Sequence, residues 1–325
     1  MKEINRKVCV VGAGHWGKNH IRVLNKMGSL GGIIDSDSSR IKQFRKLYKD
    51  IKFYDNVDDS FHDSFDGYIV ATPAETHFNM AKKIIQNKSH LLVEKPLALN
   101  VKDASELLNR SQKFGVNLMV GHLLLFHPAV IKIKHMINNG EIGELQYLYS
   151  NRLNLGTIRS EENILWSFAP HDISIFQFFV ENFPDEVLSR GGVFLQSNVH
   201  DTTMTMLQYP DNIIGHIFVS WLHPFKEHRL VVIGSKGMIS FEDSSRDKKL
   251  HYYDKSINIS DGIPTKQEGE TVEIKYNHEM PLDRELRYFV ERLDGSPIEF
   301  SDAVSAIEVL KILDIATKSL NNKIQ

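Results

Sequence analysis

The stretch "VCVVGAGHWG", residues 8–17, decides the fold. A short β-branched run leads into Gly12, Ala13 and Gly14, and Gly17 completes a G-x-G-x-x-G pattern just before a segment with helical apolar spacing. The first glycine permits a tight turn, the second lets the backbone approach a pyrophosphate, and the third lets helix and strand pack closely. Free N–H groups at the helix start favour a phosphate. The pattern predicts a dinucleotide site, the alternative being a turn without a ligand.

An acidic residue at the end of the next strand supports the dinucleotide interpretation. Asp35 ends "LGGIID", where a carboxylate would bind the adenosine ribose hydroxyls. A 2′-phosphate there would face that carboxylate, and Ser36 and Asp37 offer no cation. We therefore expect NAD rather than NADP. The alternative is that Asp35 only caps the following helix.

Two residues fill the variable positions of the glycine pattern. His15 either contacts the pyrophosphate or faces solvent, and packing is favoured over function for Trp16. Both are kept as candidate cofactor contacts.

The order of patterns along the chain predicts two domains. Up to residue 122, short apolar strands alternate with single amphipathic helices, which is typical of crossover units and of a parallel, Rossmann-type α/β sheet. Residues 123–325 contain several β-rich runs around one main helix, "APHDISIFQFFVEN". We expect an α+β domain with a large, mostly antiparallel sheet that is open on one face. The C-terminal helix either stays in this domain or packs back on the first.

Composition narrows the class of protein. The 325 residues carry a net charge of −2, which gives no case for a nucleic-acid or anionic-membrane partner. The lone cysteine, Cys9, excludes an internal disulfide and is expected to be buried. The apolar run near the N-terminus is too short for a signal peptide, and no segment reaches the length of a membrane span. We expect a cytoplasmic protein.

The run "VEKPLALN" ends a later strand of the same predicted sheet. Ligands of open parallel sheets bind beyond the carboxyl ends of the strands, where Glu94, Lys95 and Pro96 would lie. A lysine there could help to remove the proton of a sugar hydroxyl, or polarise a ketone in the reverse direction. The alternative is an ordinary surface lysine in a turn.

Together, the glycine pattern, "ATPAETH", "EKPLALN" and the β-rich second half resemble the Gfo/Idh/MocA oxidoreductases over nearly the whole chain. The resemblance implies NAD(P)-dependent hydride transfer at a carbon of a sugar or cyclitol. It implies that Lys95 is the catalytic lysine, and that it lies with other residues along the cofactor: Ala71, Thr72, Pro73, His77 and Glu94.

The same resemblance points to the main helix of the second domain. The family usually has D-x-x-x-H there, and this chain reads "WSFAPHDI", so His171 matches the histidine and Ser167 replaces the aspartate. Ser167 cannot accept a proton as a carboxylate does, which leaves His171 as the partner of Lys95. Asp172 could orient His171, although adjacent helical residues point about 100° apart. A capping or core role for His171 is the alternative.

The polar stretch before His171 offers candidate substrate contacts. Arg152, Asn154 and Arg159 could line a site, and arginine suits an anionic sugar because its fork binds carboxylate or phosphate. They could equally be solvated loop residues. "NRLNLG" and "EENILWSFAPHDIS" resemble the branch of the family that oxidises the 3-hydroxyl of UDP-N-acetylglucosaminuronate for surface polysaccharide. Carried over, Ser167, Lys95 and His171 also belong to the substrate site.

Several alternatives stay open. Relatives reduce 3-keto nucleotide sugars, oxidise free sugars or cyclitols, or cleave glycosides, and a non-enzymatic NAD(H) sensor would share the first domain. We predict no metal site, because the remaining histidines form no ligand pattern: His122, His127, His200 and His223. The open sheet face predicts a homodimer or homotetramer.

Overall fold

A computed structural model describes residues 6–159 and 162–321. The chain forms two compact units. The first unit extends to Phe126 and also contains Glu279–Leu310, whereas the second contains His127–His278 and the residues from Lys311 onward. The sequence placed the boundary after residue 122 and left open whether the C-terminal helix stays in the second domain or packs back on the first. The structure groups the segment 279–310 with the first unit.

The N-terminal region alternates strands and helices in chain order. Its elements are β1 (Val8–Val11), α1 (Gly17–Lys26), β2 (Leu30–Ile34), α2 (Ser38–Leu47), β3 (Lys52–Tyr54), α3 (Val57–Ser60), β4 (Gly67–Val70), α4 (Ala74–Gln86), β5 (His90–Glu94), α5 (Val101–Phe114) and β6 (Leu118–Gly121). All neighbours in the sheet are parallel, in the order β3-β2-β1-β4-β5-β6. The predicted Rossmann topology is confirmed, and the strand order reverses between β1 and β4, where such sheets bind dinucleotides.

The central strands are buried because helices cover both faces of a parallel sheet. β1 and β4 are buried at every position. Cys9 lies in β1 with no exposed surface, as expected, and burial raises the pKa of its thiol. Two of the covering helices start at side-chain caps: Asp37 accepts two backbone N–H groups of α2, and Asn100 accepts one backbone N–H group of α5.

The second unit is built on one large sheet. Its elements are α6 (Pro128–Asn138), β7 (Leu145–Leu153), α7 (Ile164–Val180), β8 (Glu186–Gly192), β9 (Thr202–Gln208), β10 (Ile214–Ser220), β11 (Glu227–Gly234), β12 (Met238–Glu242), β13 (Leu250–Ser260) and β14 (Ile263–Glu273). The strand order is β14-β13-β12-β11-β7-β10-β9-β8. Only the β10–β7 pair of this sheet is parallel, so the prediction of a mostly antiparallel sheet is confirmed.

One face of this sheet is covered and the other is open. α7 packs against β7, β9 and β10. The strands show the period-two alternation of a sheet with one solvated face. Large apolar side chains nevertheless stand on the solvated side, namely Leu188, Met204, Met206 and Ile214, which are each at least 38% exposed.

The β13–β14 hairpin extends well beyond the β-rich runs "KLHYYD" and "TVEIKY". Residues 255–260 also pair with residues 263–268. Asp261 and Gly262 turn the hairpin with positive φ angles of 53° and 77°. An Asp-Gly pair between strands is a strong hairpin signal, so this turn could have been recognised from the sequence.

Three helices complete the description. α7 begins at Ile164, five residues before the predicted start, because Asn163 caps it by accepting the N–H of Trp166, and Pro170 lies inside the helix. α8 (Pro281–Glu291) and α9 (Ala303–Asn321) follow the large sheet in the sequence. Among the described residues, no helix has the length and apolar character needed to cross a bilayer.

Candidate active site

The glycine loop after β1 is shaped as a phosphate cradle. Gly12 has φ +94°, and an added Cβ would lie 2.7 Å from the carbonyl oxygen of Ala71. A Cβ on Gly17 would lie 1.8 Å from the carbonyl oxygen of Gly12, so the turn and the start of α1 require both glycines. A Cβ on Gly14 would have nothing nearer than Arg40 Nη1 at 4.0 Å. Gly14 is therefore where a pyrophosphate can approach the backbone, as a dinucleotide requires.

Asp35 closes the ribose end of this cradle. Its carboxylate accepts the backbone N–H of Ala13 at 2.8 Å and that of Asp37 at 2.8 Å, and it is 6% exposed. Arg40 Nη1 lies 3.3 Å from Asp35 Oδ2. The sequence analysis found no cation at positions 36 and 37, but one turn into α2 the chain supplies Arg40. Arg40 lies five residues after Asp35, near the start of a capped helix, and this spacing could have revealed the cation from the sequence.

The loop after β4 lies beside the glycine turn. The N–H of Ala71 donates to the carbonyl of Val11 at 2.8 Å, which joins this loop to β1. His77 is buried, with Nε2 2.8 Å from the carbonyl oxygen of Thr72 and Nδ1 2.7 Å from that of Pro96. His77 therefore joins the "ATP" loop to the "EKP" turn. Pro73, the last residue of the "ATP" loop, is exposed.

Glu94 and Lys95 end the neighbouring strand β5. Glu94 Oε1 accepts from the indole N–H of Trp16 and lies 2.7 Å from Nε2 of His20, while the N–H of Lys95 donates to Oε2 at 3.3 Å. Trp16 is 37% exposed, and His15 is exposed beside it. Trp16 thus joins the glycine loop to the strand that Lys95 follows, a link that no sequence pattern predicted.

His122 lies beneath the Glu94–Lys95 pair. It is 3% exposed, and it follows β6 directly. Burial, together with the smaller effect of the charge of Lys95, lowers the pKa of His122 to about 4. The ring is therefore neutral at physiological pH, so that Lys95 faces no second cation from this side.

In the second unit, α7 carries the predicted histidine. Ser167 is 6% exposed, and His171 is half-buried one turn later on the helix. Asp172 is buried, and both oxygens of its carboxylate accept from Arg152, at 2.8 Å from Nε and 3.0 Å from Nη2. Ser150 also donates to Asp172. Asp172 is thus hydrogen-bonded to side chains of β7.

The predicted substrate contacts lie in different surroundings. Arg152 is paired as described, and its Nη1 lies 3.5 Å from Nδ1 of His228. Asn154 is half-buried and its backbone N–H donates to the carbonyl of Ser220 at 3.0 Å. The side chain of Arg159 is 55% exposed and lies 3.4 Å from Glu162. Of the two arginines, Arg159 is the one that is open to solvent.

The other histidines singled out from the sequence serve local structure where their contacts are described. His127 caps α6 by accepting the N–H of Ala129 at 3.1 Å. His223 Nδ1 lies 3.0 Å from the carbonyl oxygen of Phe225, and burial lowers the pKa of His200. Within the described ranges, no group of three or more histidine, cysteine or carboxylate side chains could hold a metal ion.

Two family descriptions match this chain. Residues 6–122 match the oxidoreductase family with an NAD-binding Rossmann fold, and residues 130–240 match the GFO/IDH/MocA C-terminal domain. The chain belongs to the Gfo/Idh/MocA family. It is an NAD-binding oxidoreductase, as the resemblance of its motifs implied, and the glycine cradle with Asp35 fits that cofactor.

Characterised relatives include enzymes that act on sugars and cyclitols. UDP-N-acetylglucosamine 3-dehydrogenase of Acidithiobacillus ferrooxidans is 23% identical over 94% of this chain and 95% of its own. Its solved structure matches with a TM-score of 0.85 over 97% of each chain at 20% identity. Myo-inositol 2-dehydrogenase of Thermotoga maritima is 25% identical over 74% of this chain and 76% of its own.

A second similar structure was solved with ligands. It is the WlbA dehydrogenase of Bordetella pertussis in complex with NADH and UDP-GlcNAcA, with a TM-score of 0.77, 19% identity and coverage of 97% of this chain and 96% of that one. At these identities, the solved structures establish the shared fold.

Proposed function

We propose that the protein oxidises the C3 hydroxyl of UDP-N-acetylglucosaminuronate to the 3-keto sugar with NAD. The observation that carries the proposal is the placement of Lys95. It follows β5, next to β4 and at the same sheet edge as the glycine cradle and Asp35. Nicotinamide cofactors of such sheets bind at this edge, so a lysine there is suited to act on a hydroxyl of a sugar beside the cofactor.

The protein's contribution to the reaction is positioning and proton transfer. The glycine loop and Asp35 would hold NAD, which would supply the acceptor for the hydride of C3. We assign removal of the single hydroxyl proton to Lys95 and His171. Ser167 replaces the usual carboxylate, so the imidazole of His171 is left as the base on α7. Glu94 orients the strand end that carries Lys95 through its contacts with Trp16 and the Lys95 backbone.

An anionic sugar is favoured over a neutral one by the two arginines near α7. Arg159 is exposed on the loop before α7, where its guanidinium can meet a carboxylate or phosphate. Arg152 is engaged by Asp172, so we assign the direct anion contact to Arg159 and keep Asn154 as a neighbouring contact. The solved relative with UDP-GlcNAcA supports this substrate class.

A single-turnover experiment tests the proposal. Purified protein, NAD and UDP-N-acetylglucosaminuronate are mixed anaerobically in comparable amounts, so that bound NADH cannot hide the reaction. We expect a sugar product two hydrogens lighter by mass spectrometry, formed together with NADH absorbance. If NAD binds but no sugar product forms, this substrate is rejected. Free sugars are then tried with NAD, and 3-keto nucleotide sugars with NADH.

A second candidate is the oxidation of a neutral cyclitol or of UDP-N-acetylglucosamine. The relatives from Thermotoga maritima and Acidithiobacillus ferrooxidans favour it, because those enzymes are named for activities on these compounds. Both compounds lack the uronate carboxylate. Including them in the same assay separates the candidates, and a faster turnover of either one would replace the uronate.

We also propose that a second copy of the chain covers the open sheet face. Apolar side chains on β8, β9 and β10 are exposed there together, including Met204, Met206 and Leu188. A contiguous exposed apolar surface is stabilised by burial against an identical surface in a symmetric dimer.

A further inference from the structure

A buried cluster of ionisable side chains lies behind Lys95 in the first unit. It contains His20 of α1, Glu94 of β5 and Glu285 of α8. His20 and Glu285 have no exposed surface. α1 packs against α8, and an ion pair at 3.0 Å between Lys26 and Asp283 joins the same two helices. The cluster is not part of the proposed proton transfer, yet one of its members, Glu94, directly precedes Lys95.

Hydrogen bonding fixes the direction of one contact in the cluster. A carboxylate can only accept, and Glu94 Oε1 already accepts from Trp16. His20 Nε2, at 2.7 Å, must therefore carry the proton and donate to Glu94. If Nε2 carries the only ring proton, Nδ1 is a buried acceptor, and it has no hydrogen-bond partner among the described residues.

The carboxyl group of Glu285 also lacks hydrogen-bond partners. Both of its carboxyl oxygens are buried and make no hydrogen bond within the described part of the chain. A buried, unpaired carboxylate is strongly disfavoured, and the acid form offers one O–H donor. Burial raises the pKa of Glu285 well above its ordinary value, and the neighbouring charge of Glu94 raises it further. The other elements that pack against α8 supply no hydrogen-bonding cation to Glu285: the 3-10 turn Leu123–Phe126 is apolar, and Arg292 stacks on Tyr288.

We propose that Glu285 and His20 form a positioning pair for Glu94. Glu285 is an uncharged acid whose O–H serves Nδ1 of His20 through one internal water, and the opposite N–H of the same ring donates to Glu94. The pair fixes the tautomer of His20 and leaves Glu94 as the only negative charge of the cluster. Gly121 completes the arrangement, since a Cβ there would lie 2.9 Å from Glu94 Oε2. The inference uses the proposed function only for the roles of Glu94 and Lys95.

Three variants of α8 test the pair. Glu285→Gln keeps a donor of the same size but cannot ionise, Glu285→Leu removes the donor, and Glu291→Gln alters an exposed carboxylate on the same helix as the control. The first readout is the ¹⁵N NMR spectrum of the His20 ring. We expect the Nε2–H tautomer in the wild type and in Glu285→Gln, and a mixture of tautomers in Glu285→Leu.

The second readout is the free energy of unfolding against pH. A carboxyl whose pKa is raised in the folded state contributes stability that is lost as pH rises from its unfolded value through its folded value. The wild type and the Glu291→Gln control should therefore lose stability as pH rises between the unfolded and folded pKa values of Glu285. Over the same interval, the slope of stability against pH should be smaller in Glu285→Gln by the contribution of one proton. The third readout is NAD affinity, which we expect to weaken roughly two- to tenfold in Glu285→Leu, the effect of one hydrogen bond, and to stay unchanged in Glu285→Gln.

None of these readouts requires the sugar substrate, so they can fail or succeed independently of the proposed reaction. An unchanged pH dependence of stability in Glu285→Gln would show that Glu285 is not a buried acid and would overturn the proposal. So would a His20 ring spectrum that is the same in Glu285→Leu as in the wild type.

Discussion

The guanidinium of Arg152 on β7 donates two hydrogen bonds to the carboxylate of Asp172 on α7, from Nε to Oδ2 at 2.8 Å and from Nη2 to Oδ1 at 3.0 Å. Burial alone would lower the pKa of Arg152, but the charge and hydrogen bonds of Asp172 outweigh it and raise the pKa above its ordinary value. Because Asp172 directly follows His171, this pair fixes the rotation of α7 and thereby the direction of the imidazole.

Arg152 and Arg159 should therefore respond differently to the same substitution. Arg152→Met leaves Asp172 buried without its partner, and we expect a loss of about 3–5 kcal/mol in the free energy of unfolding. Arg159→Met, at an exposed position, should change stability by less than about 0.5 kcal/mol but raise the KM for the uronate. Urea unfolding and steady-state kinetics measure the two effects. The reverse pattern would make Arg152 the anion contact.

Lys95→Ala should lower turnover by ~100- to 10,000-fold, the usual contribution of a general acid or base. NAD affinity should stay nearly unchanged, since the cradle is formed by the glycine loop and Asp35. Isothermal titration with NAD and single-turnover kinetics measure the two quantities. Lys102→Ala, at an exposed lysine on α5, is the matched control. Wild-type turnover in Lys95→Ala would show that another residue moves the proton.

Removing the carboxylate of Asp35 should free the guanidinium of Arg40 for another anionic partner. In Asp35→Ala, Arg40 loses its acidic partner and becomes available to a 2′-phosphate. We expect NAD to bind about tenfold more weakly and NADP to bind more tightly, by an amount similar to one charged hydrogen bond. Adding Arg40→Ala should abolish the gain for NADP. If NADP affinity stays the same in both variants, Arg40 does not reach the ribose.

Buried His122 and half-buried His228 should make the protein sensitive to mild acid. Burial, together with smaller effects that include the charge of Arg152, lowers the pKa of His228 to about 4, and His122 also has a pKa of about 4. In the unfolded chain both pKa values return to about 6.5. As pH falls from 6.5 towards 4, the unfolded state binds the extra protons, so stability decreases by up to about 1.4 kcal/mol per pH unit for each ring.

The slope of unfolding free energy against pH tests this assignment. His228→Gln should reduce the slope in that window by one proton, whereas His62→Gln, at an exposed position, should not. Equal slopes in the wild type and His228→Gln would mean that His228 is already charged in the folded protein.

The apolar residues of the open sheet face should hold two copies together. Charging that face in Met204→Glu/Met206→Glu should halve the molar mass measured by light scattering, because two buried carboxylates oppose association. Leu47→Glu, at an exposed apolar residue of α2, should leave the mass unchanged. A wild type that is already monomeric at high concentration would contradict the proposed interface.

The nucleotide-binding half could be predicted from sequence because its signals are local. Gly12, Gly14 and Gly17 lie in one short loop; an added Cβ on Gly12 or Gly17 would collide with backbone, and Gly14 leaves the backbone open to a pyrophosphate. Alternation of strands and helices then dictates a parallel sheet, which brings the ends of β1, β4 and β5 to one edge. Lys95 could therefore be placed near the cradle without coordinates.

The contacts that depend on tertiary packing could not be predicted. Arg152 and Asp172 meet only because α7 packs on β7, and the charge of Glu94 influences Glu285 only because α8 belongs to the first unit. Residue spacing carries no signal for either contact. Arg152 consequently resembled a free loop arginine in the sequence, and Glu285 resembled an ordinary surface carboxylate of an amphipathic helix.

Oxidation at C3 by hydride transfer is tested most directly with substrate that carries deuterium at that carbon. UDP-N-acetylglucosaminuronate labelled at C3 is mixed anaerobically with the protein and NAD, and both products are analysed by mass spectrometry. We expect reduced cofactor one mass unit heavier than NADH and a keto sugar that has lost the label. Unlabelled NADH together with an oxidised sugar that keeps its deuterium would place the chemistry at another carbon and contradict the proposed reaction.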